Sequence, residues 1–155
     1  MTEILFYHLE QRPLEEALPA LLEKSLEREW RCAVQCSSPE RRDALDAHLW
    51  TYSDASFLPH GTDAQPQPDR QPILVTTSDA NPNGAQVRFL VDGATLADAA
   101  PYLRVVHMFD GRDEEAVSAA RDRWREAKAA GHSLAYWQQD ENGRWVRKAA
   151  VQAPV

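Results

Sequence analysis

The stretch ILFYHLEQRPLEEALPALLEKSLEREWRCAVQC, residues 4–36, decides how the chain is built. Ile4-Leu5-Phe6-Tyr7 is a short apolar run rich in strand formers and reads as a buried first strand. Pro13 then opens a helical stripe. Leu14, Ala17, Leu18, Leu21, Leu22 and Leu26 fall at the spacings of one helix face. Pro19 interrupts that stripe and marks a kink or a late helix start. Cys32–Cys36 follows as a second strand. Strand, helix, strand within so few residues is the unit from which parallel sheets are made.

The rest of the chain continues the alternation. Ser37, Pro39 and Glu40 form a helix-start signal, and the helix they open points Leu45 and Leu49 inward and ends near Trp50. Residues 51–71 carry no periodic pattern and read as a long loop. Further strands are expected at Ile73–Thr77, Val87–Val91 and Leu103–Phe109, with a turn at Asn81-Pro82-Asn83-Gly84. Asp113-Glu114-Glu115 is an acidic first turn, and its helix runs to Ala130 before Gly131. Leu134–Gln139 and Arg144–Val146 flank Asn142-Gly143, a hairpin signal. The expected fold is a single-domain α/β sandwich over residues 1–148. Its central sheet is mostly parallel, flanked by helices, with a C-terminal hairpin and a flexible tail at 149–155.

Composition narrows the function. The chain has 155 residues, 43% of them hydrophobic, which suits one domain with a real core. Seventeen basic against 24 acidic residues give a net charge of −7. Proteins that grip a nucleic-acid polymer unaided usually carry a basic surplus, so strong direct binding is disfavoured as the main activity. The charge is uneven: residues 121–148 carry a net +3, leaving −10 on the remainder. Cys32 and Cys36 share a strand face about 13 Å apart, too far for a disulfide, and read as buried reduced thiols. No run approaches a membrane span and the first residues lack a leader pattern, so the expected setting is cytoplasmic.

The sheet invites a nucleotide site, but its first turn, His8-Leu9-Glu10-Gln11-Arg12-Pro13, has no glycine and places Glu10 where pyrophosphate would sit. No Gly-rich loop is followed by a phosphate-binding lysine. The five histidines show no metal-ligand spacing, and no nucleophile elbow appears. No catalytic residue, cofactor or metal is expected.

Two surfaces stand out. Trp50 at a helix end, followed by Phe57 and Leu58 in a Pro-containing loop, puts large apolar groups where polar ones are usual. They are either interface anchors or a fold-back cap on the core. Arg121, Trp124, Arg125 and Lys128 share one helix face. They form either an acid-binding stripe, or a core indole with solvated cations ion-paired to Asp122 and Glu126.

Phe6–Leu9, Asp43–Trp50 followed by Ser56-Phe57-Leu58-Pro59-His60, Asn81–Gly84 leading into Phe89–Val91, and Arg121–Trp124 through Gly131 with Tyr136-Trp137 are blocks that no single folding rule joins. Together they resemble the chi subunit family of the bacterial DNA polymerase III holoenzyme. In order and spacing they run over residues 4–147. The Leu-Trp then Ser-Phe-Leu-Pro-His combination is the most specific, because no folding rule requires it. The resemblance implies a nucleotide-binding-like sheet without nucleotide chemistry, and a non-catalytic adaptor role. It implies a psi-binding surface at Trp50, Phe57, Leu58 and His60. It also implies a site for the acidic tail of single-stranded-DNA-binding protein (SSB) at Arg121, Trp124, Arg125 and Lys128. A basic position of some relatives is Val117 here. A helicase using the Trp50–His60 patch is an alternative partner, and a nucleotide-handling enzyme a remote one.

Overall fold

The computed structural model describes residues 2–53 and 57–151. In chain order the elements are β1 (Glu3–Leu9), α1 (Leu14–Glu27), β2 (Cys32–Gln35), α2 (Pro39–Thr51), β3 (His60–Thr62), β4 (Ile73–Thr76), β5 (Val87–Leu90), β6 (Arg104–Asp110), α3 (Glu114–Ala129), β7 (Ser133–Gln139) and β8 (Trp145–Val151). The eight strands form one open sheet in the order β3-β4-β2-β5-β6-β1-β7-β8. Every pairing is parallel except β7 with β8. The expected α/β sandwich with a mostly parallel sheet is therefore the fold.

Strand alternation divides the core in two. Leu5 and Leu9 of β1 pack with Leu18 and Leu22 of α1 and with Leu45 and Leu49 of α2. Ile4 and Phe6 face the opposite way, toward Ala120 and Ala127 of α3 and the segment bearing Ala94, Leu96 and Tyr102. Cys32 and Cys36 both lie in the first of these cores as free thiols, and burial pushes the Cys32 thiol up to about 12.

Pro19 lies inside α1 without ending it. A proline has no N–H for the carbonyl four residues earlier, and that carbonyl, on Glu15, accepts from His48 Nε2 of α2 at 2.6 Å. A neighbouring helix thus supplies the missing bond. The N-cap of α2 is Ser38, one residue later than expected, its Oγ accepting from the Arg41 amide.

Three features of the sheet depart from the sequence reading. Residues 60–62 form β3 inside the expected loop, paired to β4. Strand β8 runs to Val151, past the expected boundary at 148, and residues 152–155 of the tail lie outside the described residues. Finally, Asp140 heads the hairpin turn: the Gly143 amide donates to its carbonyl and the Asn142 and Arg144 amides donate to its Oδ1. Gly143 takes φ +76, the left-handed position such turns reserve for glycine, and β8 starts at Trp145.

A buried arginine escaped the sequence reading. Arg88 of β5 has no exposed surface, and its guanidinium donates to Gln35 Oε1, the Ala80 and Ser78 carbonyls and the Tyr102 hydroxyl. It fastens the loop before β5 to the segment after it. Asn83 of the Asn-Pro-Asn-Gly turn is buried too, its amide bridging the carbonyls of Cys32 and Gln71.

Candidate partner-binding surfaces

The end of α2 and the chain entering β3 form the first surface. Trp50 is 53% exposed and Phe57 69%, with ring centroids 5.8 Å apart. Exposed aromatics in contact are unusual on a monomer surface and form an apolar patch. Leu58 and His60 do not belong to that patch. Leu58 is buried in the core shared by α1 and α2. The buried His60 ring lies 4.5 Å from the Trp50 ring. Its Nδ1 is 2.6 Å from the Leu58 carbonyl and its Nε2 3.0 Å from the Asp46 carbonyl, with Asp46 Oδ1 3.3 Å away. Nε2 thus ties the segment to α2, while Nδ1 bonds within its own loop. The expected four-residue contact set separates into two outward aromatics and two inward supports, because alternate residues of an extended segment face opposite ways. Ser56 of the same block lies outside the described residues.

The second surface is a flank of α3. Arg121, Arg125 and Lys128 are exposed, and Trp124 is half-buried. The Trp124 ring packs 5.5 Å from Phe6 and 6.0 Å from Tyr136, so it closes the core along one edge and shows the other to solvent. Arg125 pairs with Asp122 at 3.3 Å, while Glu126 pairs with Arg123 on the other flank. Arg121 and Lys128 have no carboxylate within ion-pair distance among the described residues. Tyr136 adds a residue that helix spacing could not reveal. Its hydroxyl meets His8 Nδ1 at 2.7 Å. Burial pushes the phenol up, and the Arg121 charge opposes that shift. Val117 lies on this flank, half-buried.

The carboxyl ends of the central strands show what became of a nucleotide-like site. A cleft of about 600 Å³ opens there between the starts of α1 and α3. Connections leave β1 and β6 in opposite directions at this point, where open α/β sheets commonly bind ligands. Several of the charges around it are paired with one another: Arg41 reaches Glu15 at 3.2 Å and Asp92 at 2.9 Å, and Arg112 reaches Asp110 at 3.6 Å. The amides of Glu10, Gln11 and Arg12, in the turn where phosphate would be cradled, all donate to Gln139 Oε1 at 2.9, 2.9 and 3.1 Å. A side chain of β7 thus sits where a phosphate oxygen would.

Among the described residues there is no group of three or more His, Cys, Asp or Glu that could hold a metal ion, and no helix long and apolar enough to cross a membrane.

Comparison with known proteins identifies the family. The chain is 31% identical over 108 residues to a protein of Rickettsia prowazekii (strain Madrid E) described as "Probable DNA polymerase III subunit chi". The match covers 68% of this chain and 66% of that relative's length. The profile of the family described as DNA polymerase III chi subunit, HolC, matches residues 1–135, from β1 through α3 into β7. The chain belongs to the HolC family of DNA polymerase III chi subunits.

Proposed function

We propose that the chain is a non-catalytic adaptor of a cytoplasmic replisome, joining the psi subunit of the clamp loader to the acidic tail of SSB. Family membership supports an accessory role in DNA replication. The observation that carries the bridging role is the placement of the two surfaces. The Trp50–Phe57 patch rises from α2 on one face of the sheet, and the Arg121–Lys128 flank belongs to α3 on the other. Two partners held there do not compete for space.

Each surface suits its partner's chemistry. Exposed Trp and Phe supply the flat apolar anchors typical of interface hot spots, which fits psi. Arg121 can fork a terminal carboxylate while the open edge of Trp124 packs on an apolar side chain, which fits an acidic tail ending in an aromatic residue. A helicase docking on the Trp50–Phe57 patch remains the second reading, since the same chemistry serves it.

The test is a three-component assay by size-exclusion chromatography with psi and a fluorescent SSB-tail peptide. A ternary complex is expected. Phe57→Ala removes psi and leaves the peptide bound, whereas Arg121→Ala does the reverse. Mutual exclusion of the two ligands overturns the bridging role. Loss of helicase but not psi in the Phe57→Ala pull-down assigns the patch to the helicase.

A further inference from the structure

The two faces of the sheet are covered unequally. Helix α1 leaves β1 toward β2, α2 lies farther along the same face, and α3 packs on the opposite face. Among the described residues, no helix lies over β7 and β8 on the α1 side. What that open face carries is a row of aromatic rings. Tyr7 of β1 lies nearly parallel to Trp137 of β7, at 9° and 6.3 Å, and meets Trp145 of β8 edge-on at 4.8 Å. All three are half-buried against the core and do not protrude; Tyr7 and Trp137 lie nearly parallel, and Trp145 stands almost at right angles to Tyr7.

Cations stand at both ends of the row. At one end a cleft of about 200 Å³ lies beside Tyr7, lined by Lys24, Arg28, Trp30 and Arg104. The Arg28 and Arg104 guanidiniums sit 4.9 and 5.2 Å from the centre of the Trp30 ring. At the other end Arg147 is the ladder partner of Trp137, and Lys148 follows it. Glu3 pairs with Arg104 at 2.8 Å. Lys24, Arg28, Arg147 and Lys148 have no carboxylate in ion-pair range among the described residues.

We propose that this face binds a short stretch of single-stranded nucleic acid. Bases would lie on the aromatic row, with phosphates on Lys24, Arg28, Arg104, Arg147 and Lys148. Single strands are held by this combination of aromatic platforms and flanking cations, without need of sequence readout. A protein partner would more readily use protruding anchors, as at Trp50 and Phe57, than flat half-buried rings. The acidic remainder of the chain limits the contact to a few nucleotides. Duplex, whose base faces are hidden by stacking, binds less well.

Fluorescence anisotropy of the full chain with a labelled oligothymidylate of about 15 residues tests this. At low salt, saturable binding is expected, with tryptophan quenching. The log–log salt slope should be about −2 to −3.5, the value for three to five phosphate contacts on a single strand. Arg28→Glu is expected to weaken binding by about tenfold. Arg70→Glu makes the same charge change on an exposed turn before β4, outside this face, and should alter binding less than about twofold. Absence of saturable binding at low salt overturns the proposal, as does equal loss in the two variants. Capture of an acidic peptide in place of the oligonucleotide, weakened by Arg28→Glu, makes the face a protein surface and also overturns it.

Discussion

Within the segment from Trp50 to His60, adjacent side chains have opposite tasks, and substitutions should separate them. Phe57→Ala removes an exposed ring, so thermal stability should stay at the wild-type value while psi affinity falls by about 2 kcal/mol or more. Leu58→Ala empties a core position and should cost about 2–4 kcal/mol of stability, read as a lower denaturant midpoint. Psi binding at full strength in a folded Phe57→Ala protein removes the patch from the interface. On α3 the half-burial of Trp124 makes Trp124→Ala an impure probe, since it also opens the core beside Phe6. Arg121→Ala is the clean substitution, and in a peptide titration it should hurt more than Lys128→Ala, whose ammonium cannot fork a carboxylate. His107 titrates at the edge of the core. Its ring stacks on Phe6 at 4.7 Å, and burial, with the nearby Arg123 charge, lowers its pKa to about 4. The unfolded chain then binds the proton more tightly than the folded one. Stability is retained above about pH 6.5 and lost as pH falls toward 4, by roughly 1–2 kcal/mol after allowing for the ring's partial exposure. As pH falls across that window, the denaturant midpoint of wild type should drop relative to that of His107→Phe; a constant difference refutes it.

Among the elements, those with their own apolar period were legible before the structure. β1, β2, β4, β5, β6 and β7 fall on runs of β-branched, apolar or aromatic residues, and the three helices on stripes or cap signals. Strand β3 was not legible, because His-Gly-Thr has no pattern and exists as a strand only through the edge of β4 and the bonds of His60. The shared flank of Arg121, Trp124, Arg125 and Lys128 was legible from helix spacing. That Trp124 turns half inward was not, since Phe6 and Tyr136, distant in sequence, decide it. The absence of glycine in the first turn pointed away from nucleotides, but the closure of that turn by Gln139 needed the sheet order. Gln139→Ala leaves three amides without their acceptor and should destabilise the chain by about 1–3 kcal/mol. Wild type and variant alike should show no saturable heat with ATP or a nicotinamide dinucleotide in calorimetry, because Glu10 stays beside the turn. Saturable binding by the wild type overturns the reading of the turn.

For the whole molecule, an acidic body of net −7 with basic flanks implies salt-sensitive partnerships. Affinity for the SSB-tail peptide should be about micromolar and fall as salt rises, since the cations of α3 are exposed and screened. Psi binding through Trp50 and Phe57 should change little over the same series. Equal salt dependence for both partners contradicts the division of labour between the two faces. The sheet order also sets a timetable for the chain as it is made. Strand β1 is the first to leave the ribosome, yet its hydrogen-bonded neighbours are β6 and β7, the nearer of which begins at Arg104. Strands β2 to β5 can pair among themselves while Ile4-Leu5-Phe6-Tyr7 waits, an apolar ribbon with both edges bare until β6 has been made. Nascent chains stalled before residue 104 are therefore the ones most in need of chaperone cover.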